Sequence, residues 1–447
     1  MNTSPRIGTF QRLLLTIPAL VVLAAAEAAG DGTPPDGEAA FHEAEQYTVR
    51  VRTSIRLPFE PEKQGTFDGA GFLVNSERGW ILTNAHVVGR SPSTMQVAFK
   101  DRDYRLATKL YVDPMLDLAV LAVEPSDIPS TTTAAKLDCQ ETPAVGHPVG
   151  AYGHPWGLAF TGTRGIVSGV ADQKSTEMLQ TDAPINRGNS GGPLISFVSR
   201  AVVGVNTASR KDSQNLNFAV SSKYACRILE LLQAGKDPSP PDINAIFFSV
   251  DQGQKQLKVA KSWNLVDLRP GDILKGVIGS DEPVSTYTQL AHALRGRLDD
   301  VTLLVERAGS EHIVLGRFPA MKDVLSKRGV YVSGALIEYL ELSDPDIAKL
   351  YGLNVSYVEK GSTAEVHDLQ QHDQIMTLNG RPLTDLDDLW RVLRHAKNEG
   401  GTARVTLRRF ADSATGLFFE YIEHEIPLEE IRFVSQKELD ARVSVSR

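Results

Sequence analysis

Ser190 lies inside Gly188-Asn189-Ser190-Gly191-Gly192, within the longer stretch TDAPINRGNSGGPL from Thr181 to Leu194. A run so dense in glycine makes a poor helix or strand interior, because glycine loses the most backbone freedom on ordering. It suits a tight turn that presents a serine hydroxyl and aims successive backbone N–H groups at one point, as oxyanion stabilisation requires. A surface Gly/Ser loop has the same composition. A base and an orienting acid elsewhere in the chain decide between the two.

A serine hydroxyl is a weak nucleophile at neutral pH unless a general base sits beside it. Of the ten histidines, His86 ends the apolar run Ile81-Leu82-Thr83-Asn84-Ala85, where a rigid strand can hold it at a cleft. His147 and His154 fall in Pro/Gly-rich loops. A purely structural role is the alternative for His86. Two acids compete to orient it. Asp113 precedes Pro114 and reads as a turn former, whereas Asp117 opens Leu118-Ala119-Val120-Leu121-Ala122-Val123 and is at least partly buried. A buried carboxylate needs a partner, and an imidazole N–H supplies one; a strand-start cap is its other role.

The elements that must position these groups are short. From Tyr47, β-branched and aromatic runs such as Tyr47–Ile55, Gly69–Val74, Met95–Phe99, Gly165–Val170 and Ala201–Asn206 alternate with turn residues. That spacing predicts an all-β barrel or sandwich. A helix-period stretch, Lys223 to Gln233, closes this domain, assigned to residues 43–235, before the Pro-rich linker 236–242. Beyond it a turn–strand–loop–helix–strand unit occurs twice. Arg269–Leu274, Val284–Arg295 and Val301–Glu306 are matched by Gln371–Met376, Leu383–Arg394 and Ala403–Arg408. The two units are assigned to residues 243–320 and 324–433, as related small α+β domains.

Length and charge narrow the function. At 447 residues the chain predicts about three domains. A net charge of -8 without a basic stripe argues against nucleic acid as a partner. At the N-terminus, Arg6 and Arg12 precede the apolar run Leu13–Ala26 and an A-x-A exit at Ala26-Glu27-Ala28. This reads as a secretory signal peptide over residues 1–29, with an uncleaved anchor as the alternative, followed by a flexible leader over 30–42. Neither Cys139 nor Cys226 has zinc-site spacing. They are either a disulfide, which export permits, or two buried thiols.

Taken together, His86 in TNAHVV, Asp117 in DPMLDLAVL and Ser190 in TDAPINRGNSGGPL resemble the trypsin-like HtrA (Deg) serine proteases in order and spacing. The likeness spans about Asp68 to Val220 and includes AYGHPWGL, GIVSGV and VGVNTA. It implies a trypsin-like double β-barrel in which Ser190 is the nucleophile, His86 the general base and Asp117 its orienter. Gly188, Asn189 and Ser190 would supply the oxyanion hole, with no metal or organic cofactor. In digestive trypsins an aspartate stands six places before the nucleophile; here that place is Pro184, with Val203 and Val205 as apolar wall candidates. A small or medium aliphatic P1 residue is therefore expected. Ala70, His154 and Asn217 depart from the family pattern, and the segment between Phe59 and Phe67 is short. Trypsins that bridge comparable regions favour a Cys139–Cys226 disulfide.

The C-terminal units resemble bacterial PDZ domains, the second more closely. That likeness places a groove for C-terminal peptides between Ala335–Ile337 and Leu386–Arg394, while the carboxylate loop near Val330–Gly334 matches poorly. The family further implies a periplasmic enzyme assembled from trimers that degrades unfolded or misfolded envelope proteins. A chaperone or peptide-sensing scaffold with minor protease activity, and a membrane-anchored regulatory protease, are the competing functions.

Overall fold

The computed structural model describes residues 37–140, 142–154, 160–173, 176–209, 216–251, 255–263, 267–297, 301–318, 321–340, 352–413 and 416–445. The signal-peptide reading and most of the leader lie outside these residues.

Two closed, antiparallel six-stranded barrels come first. In the first, Thr48–Ile55 alternates Val49, Val51, Thr53 and Ile55 inward with Arg50, Arg52 and Ser54 turned outward, the period-2 pattern of a half-buried strand. It pairs with Gly65–Asn75 on one side and Ser93–Phe99 on the other. Strands Trp80–Thr83, Leu118–Ala122 and Arg105–Asp113 complete the ring. The second barrel runs Pro193–Ser196, Val202–Ser209, Asn217–Ser221, Thr176–Thr181, Thr161–Gln173 and Pro148–Gly153. Helix Ser222–Gln233 follows it and buries Tyr224, Ala225, Ile228 and Leu229. Cys139, in the segment between the barrels, is bonded to Cys226 of this helix.

One boundary differs from the sequence reading. Residues 37–42, assigned to the flexible leader, begin a helix, Gly37–Tyr47. Ala40 and Ala44 are buried, and Phe41 packs against Tyr152 at 5.6 Å and edge-on to Phe197 at 5.3 Å. In the sequence this short apolar face, which holds the helix to the second barrel, is easily overlooked beside the Gly/Pro-rich composition that precedes it.

A five-stranded antiparallel sheet, Ala245–Asp251, Lys255–Ser262, Ile273–Val277, Val301–Arg307 and Ser310–Gly316, carries helix Tyr287–Leu294. An eight-stranded sheet follows, with helix Leu386–Glu399 against it. The repeat is also written in ion pairs. Buried Asp272 takes both donors of Arg307 at 2.8 Å, and buried Asp373 takes those of Arg409 at 2.7 and 2.8 Å.

The expected peptide groove is not open at its strand. Ala335–Tyr339 pairs with Arg328–Val332 along one edge and with Leu353–Val358 along the other. A peptide adds to a sheet by hydrogen-bonding a free edge, and this strand has none. Ala335–Ile337 is a strand as expected, but Val330–Gly334, expected as the carboxylate loop, instead ends strand Arg328–Val332 and turns tightly at Ser333-Gly334. The chain then returns to the first barrel. Gln436, at the start of helix Gln436–Val445, exchanges hydrogen bonds with the N–H and carbonyl of Ser93 at 3.0 and 3.1 Å.

Candidate active site

His86 sits on a one-turn helix, Ala85–Val88, that follows strand Trp80–Thr83. So short a helix has little stability of its own, and its carbonyls are tied from outside. Thr53 Oγ1 donates to Val87 O at 2.6 Å and Ser93 Oγ to Val88 O at 3.2 Å. Lys109, a buried amine, donates to the carbonyls of Gly89 and Ser91 at 3.0 and 2.9 Å. Burial pushes the Lys109 ammonium down to a pKa of about 8.

Asp117 ends the turn between strands Arg105–Asp113 and Leu118–Ala122. Its carboxylate accepts the His86 backbone N–H at 3.0 Å and faces His86 Nδ1 at 2.8 Å. Thr207 Oγ1 also donates to it. Burial alone would push this carboxyl up, but the hydrogen bonds and charge of His86, with Thr207, outweigh it and hold Asp117 below the usual carboxylate range. Thr207 lies in VGVNTA, a motif visible in the sequence, although its hydroxyl carries no recognisable signal there.

Ser190 is brought beside this pair. Its carbonyl accepts the Ala70 N–H at 2.8 Å, which staples the glycine-rich turn of the second barrel to the first. Gly191 adopts φ +85°, and a Cβ there would stand 2.1 Å from Ala70 O. Only glycine fits. The Ser190 hydroxyl donates to Thr207 O at 2.9 Å, so it is parked on a carbonyl and not on His86. Of the three expected oxyanion donors, Asn189 is engaged, its N–H bonding Asn186 O at 2.9 Å. The N–H groups of Gly188 and Ser190 bond no acceptor among the described residues.

Two expected pocket walls are elsewhere. Val203 and Val205 are 1% and 0% exposed, Val203 packed with Val149, Val167 and Leu194 and Val205 in the cluster of Phe218, Val220 and Tyr224. The strand bulges at Val203, which has no partner on Pro193–Ser196, so the two valines enter different clusters; it is Thr207 of this strand that touches Asp117 and Ser190. Pro184 is exposed, with its carbonyl accepting Thr163 Oγ1 at 2.8 Å. The cleft itself, about 540 Å³, lies over His86, Gly188 and Ser190 and is lined further by Arg50, Arg52, Asp68, Tyr104, His154 and Arg187. A larger cavity of about 690 Å³, near Arg90, Lys327 and Thr384, holds no nucleophile–base pair. His154 is buried, and burial lowers its pKa, which leaves it neutral. No cluster of three or more His, Cys, Asp or Glu suited to a metal occurs among the described residues.

A family model described as a trypsin-like peptidase domain matches residues 69–205. A putative serine protease HhoB of Synechocystis is 39% identical over 191 residues, which span 40% of this chain and 44% of that protein. A probable periplasmic serine protease do/HhoA-like of Haemophilus influenzae is 26% identical over 357 residues, or 73% of each chain. Among solved structures, the HtrA-type protease AlgW with a tripeptide overlays with a TM-score of 0.52 at 22% identity, covering 64% of this chain and 98% of that one.

Proposed function

From the premise that this chain belongs to the HtrA family of trypsin-like serine proteases, we propose that it cleaves peptide bonds through Ser190, His86 and Asp117. The observation that carries this reading is the Asp117 carboxylate bonded to His86 Nδ1 beside Ser190 in one cleft. His86 Nε2 takes the proton of Ser190 Oγ as that oxygen attacks the scissile carbonyl. The N–H groups of Gly188 and Ser190 receive the oxyanion. The imidazolium then gives its proton to the departing amine, leaving an acyl-serine. Water, deprotonated by His86, hydrolyses the ester. Asp117 keeps the imidazole in the correct tautomer and stabilises its cation without taking the proton.

Before attack, the Ser190 hydroxyl must turn from Thr207 O towards His86, a side-chain rotation that substrate entry can drive. Pro184 offers no counter-charge to Lys or Arg at P1. With Val203 and Val205 in the core, the aliphatic preference rests on this exclusion alone.

The reading extends to an exported enzyme of the periplasm that removes misfolded proteins. Relatives named as periplasmic proteases and the Arg-flanked apolar N-terminus support it. Assembly from trimers rests on the family resemblance. No helix among the described residues is long and apolar enough to cross a membrane. Digestion of casein by wild type and Ser190→Ala tests the core of the proposal. Loss of cleavage in the variant is expected, and equal digestion by both proteins would overturn it.

A further inference from the structure

Asp117 occupies a backbone conformation that does not hold itself. Its φ of +56° lies in the left-handed region, which a non-glycine residue keeps only where its surroundings over-determine it. The residues that do so begin four positions earlier. Asp113 closes strand Arg105–Asp113, and its Oδ1 accepts the N–H groups of Met115 and Leu116 at 3.0 and 2.9 Å. That bends the chain sharply enough to bury Leu116 and to deliver Asp117 to His86. The turn therefore depends on the Asp113 carboxylate being held in one rotamer inside the protein.

The group that holds it comes from outside the barrels. Arg295 follows helix Tyr287–Leu294 of the five-stranded sheet and is 1% exposed, against 3% for Asp113. Its Nη2 donates to Asp113 Oδ2. Its Nη1 donates to Tyr111 Oη at 3.1 Å and to Pro238 O, in the linker, at 2.7 Å. Tyr111 Oη in turn donates to Asp113 Oδ2 at 3.2 Å. Without the guanidinium, Asp113 would be a buried carboxylate lacking its counter-charge, which a protein interior does not tolerate unpaired.

We infer that Arg295 is a positioning residue for catalysis. Through Asp113 it fixes the turn that presents Asp117 to His86, so that docking of the first C-terminal unit sets the geometry of the catalytic pair. This rests on the reading of His86 and Asp117 as that pair. It gives the five-stranded sheet a role in the active site that needs no peptide ligand.

The test uses full-length Arg295→Met and Arg295→Lys. Each is measured for melting temperature, for kcat and KM on a fluorogenic peptide, and by NMR for the downfield proton of the His86–Asp117 hydrogen bond. Expected in a folded variant are a shifted or broadened resonance and a kcat lower by about tenfold to a hundredfold, the scale of a small misplacement, with KM little changed. If Arg295→Met does not fold, Arg295→Lys decides, because lysine keeps the charge but not the fork that reaches Asp113, Tyr111 and Pro238 together. A resonance and kcat equal to wild type, with only the melting temperature lowered, would make Arg295 merely structural and overturn the inference. If wild type cleaves nothing, the resonance still decides: movement in the variants supports positioning while the proteolysis reading fails.

Discussion

Thr207 is the residue on which the charge of Asp117 most plainly depends apart from His86 itself. Its hydroxyl donates to the carboxylate while its carbonyl holds the Ser190 hydroxyl, so one residue touches two members of the triad. Thr207→Val keeps shape and carbonyl and removes only the donor. A hydrogen bond to a charged group is worth about 1.5–3 kcal/mol, and water entering from the cleft recovers part of it. A fall in kcat of about tenfold with unchanged KM is expected, read from steady-state kinetics. The stability change has a definite pH dependence. Asp117 has a folded pKa below its unfolded value, so its contribution is present above about pH 4 and is lost as pH falls through the folded value. The gap in melting temperature between wild type and Thr207→Val should therefore be full at neutral pH and close in acid. A gap that persists once Asp117 is protonated in the folded state would mean the hydroxyl acts through packing.

At the scale of elements, the paired Asp–Arg braces explain why the two C-terminal units repeat. Each begins with an acid that caps its own turn. Asp272 Oδ2 accepts the Arg269 N–H at 2.9 Å and Asp373 Oδ2 the Gln370 N–H at 2.8 Å. Each also receives an arginine from a later strand of its sheet. Burial pushes the Asp272 carboxyl up, but Arg307 and the Arg269 N–H hold it below the usual range. Asp272→Asn should cost about 3 kcal/mol, the lower end for breaking a buried pair because Arg307 can still reach water and Asp267. Urea unfolding at pH 7 measures it, and the deficit should shrink as pH drops below about 4. The periodicity of these units, and of the barrel strands, was legible because it is local: strand, turn and helix signals repeat within a few residues. The helix at Gly37–Tyr47 was not, because its reason to exist is a contact with Tyr152 and Phe197, more than a hundred positions away in the chain. The two-sided pairing of Ala335–Tyr339 was hidden for the same reason, since period-2 alternation tells which residues face inward and nothing about whether an edge is free. His86, Asp117 and Ser190 could be picked out because each stands in a distinctive local motif. Val203 and Val205 were misplaced because distance along a strand is a poor guide to which residue reaches a cleft.

For the molecule as a whole, the segment between strands Thr48–Ile55 and Gly65–Asn75 joins the catalytic barrel to the eight-stranded sheet. On one side Glu62 accepts the N–H groups of Arg90 and Ser91 at 2.6 and 2.8 Å, just beyond the helix of His86. On the other, Phe59 is buried with Leu57, Tyr331, Leu336 and Val434, and the Glu60 N–H donates to Glu338 Oε1 at 2.8 Å. Glu338 is fully buried, and Lys327 stands 2.7 Å from its other oxygen but is not aligned for a hydrogen bond. Burial raises the Glu338 pKa more than Lys327 and the Glu60 N–H lower it. A folded pKa above the unfolded one means that the native state binds the extra proton, so stability declines as pH rises from the unfolded value through the folded one. The ionised carboxylate is then a net cost at this junction at neutral pH, of the kind seen for buried pairs with imperfect geometry. Glu338→Gln keeps the acceptor for Glu60 and removes the charge, while Lys327, about a third exposed, turns to solvent. It should raise the melting temperature at pH 7, and the advantage should vanish as pH falls below the folded pKa of Glu338, where wild type is itself neutral. Scanning calorimetry from pH 4 to 8 makes the comparison. A variant less stable than wild type at pH 7 would show that Lys327 holds the charge well enough to make the pair a net brace between protease and sheet.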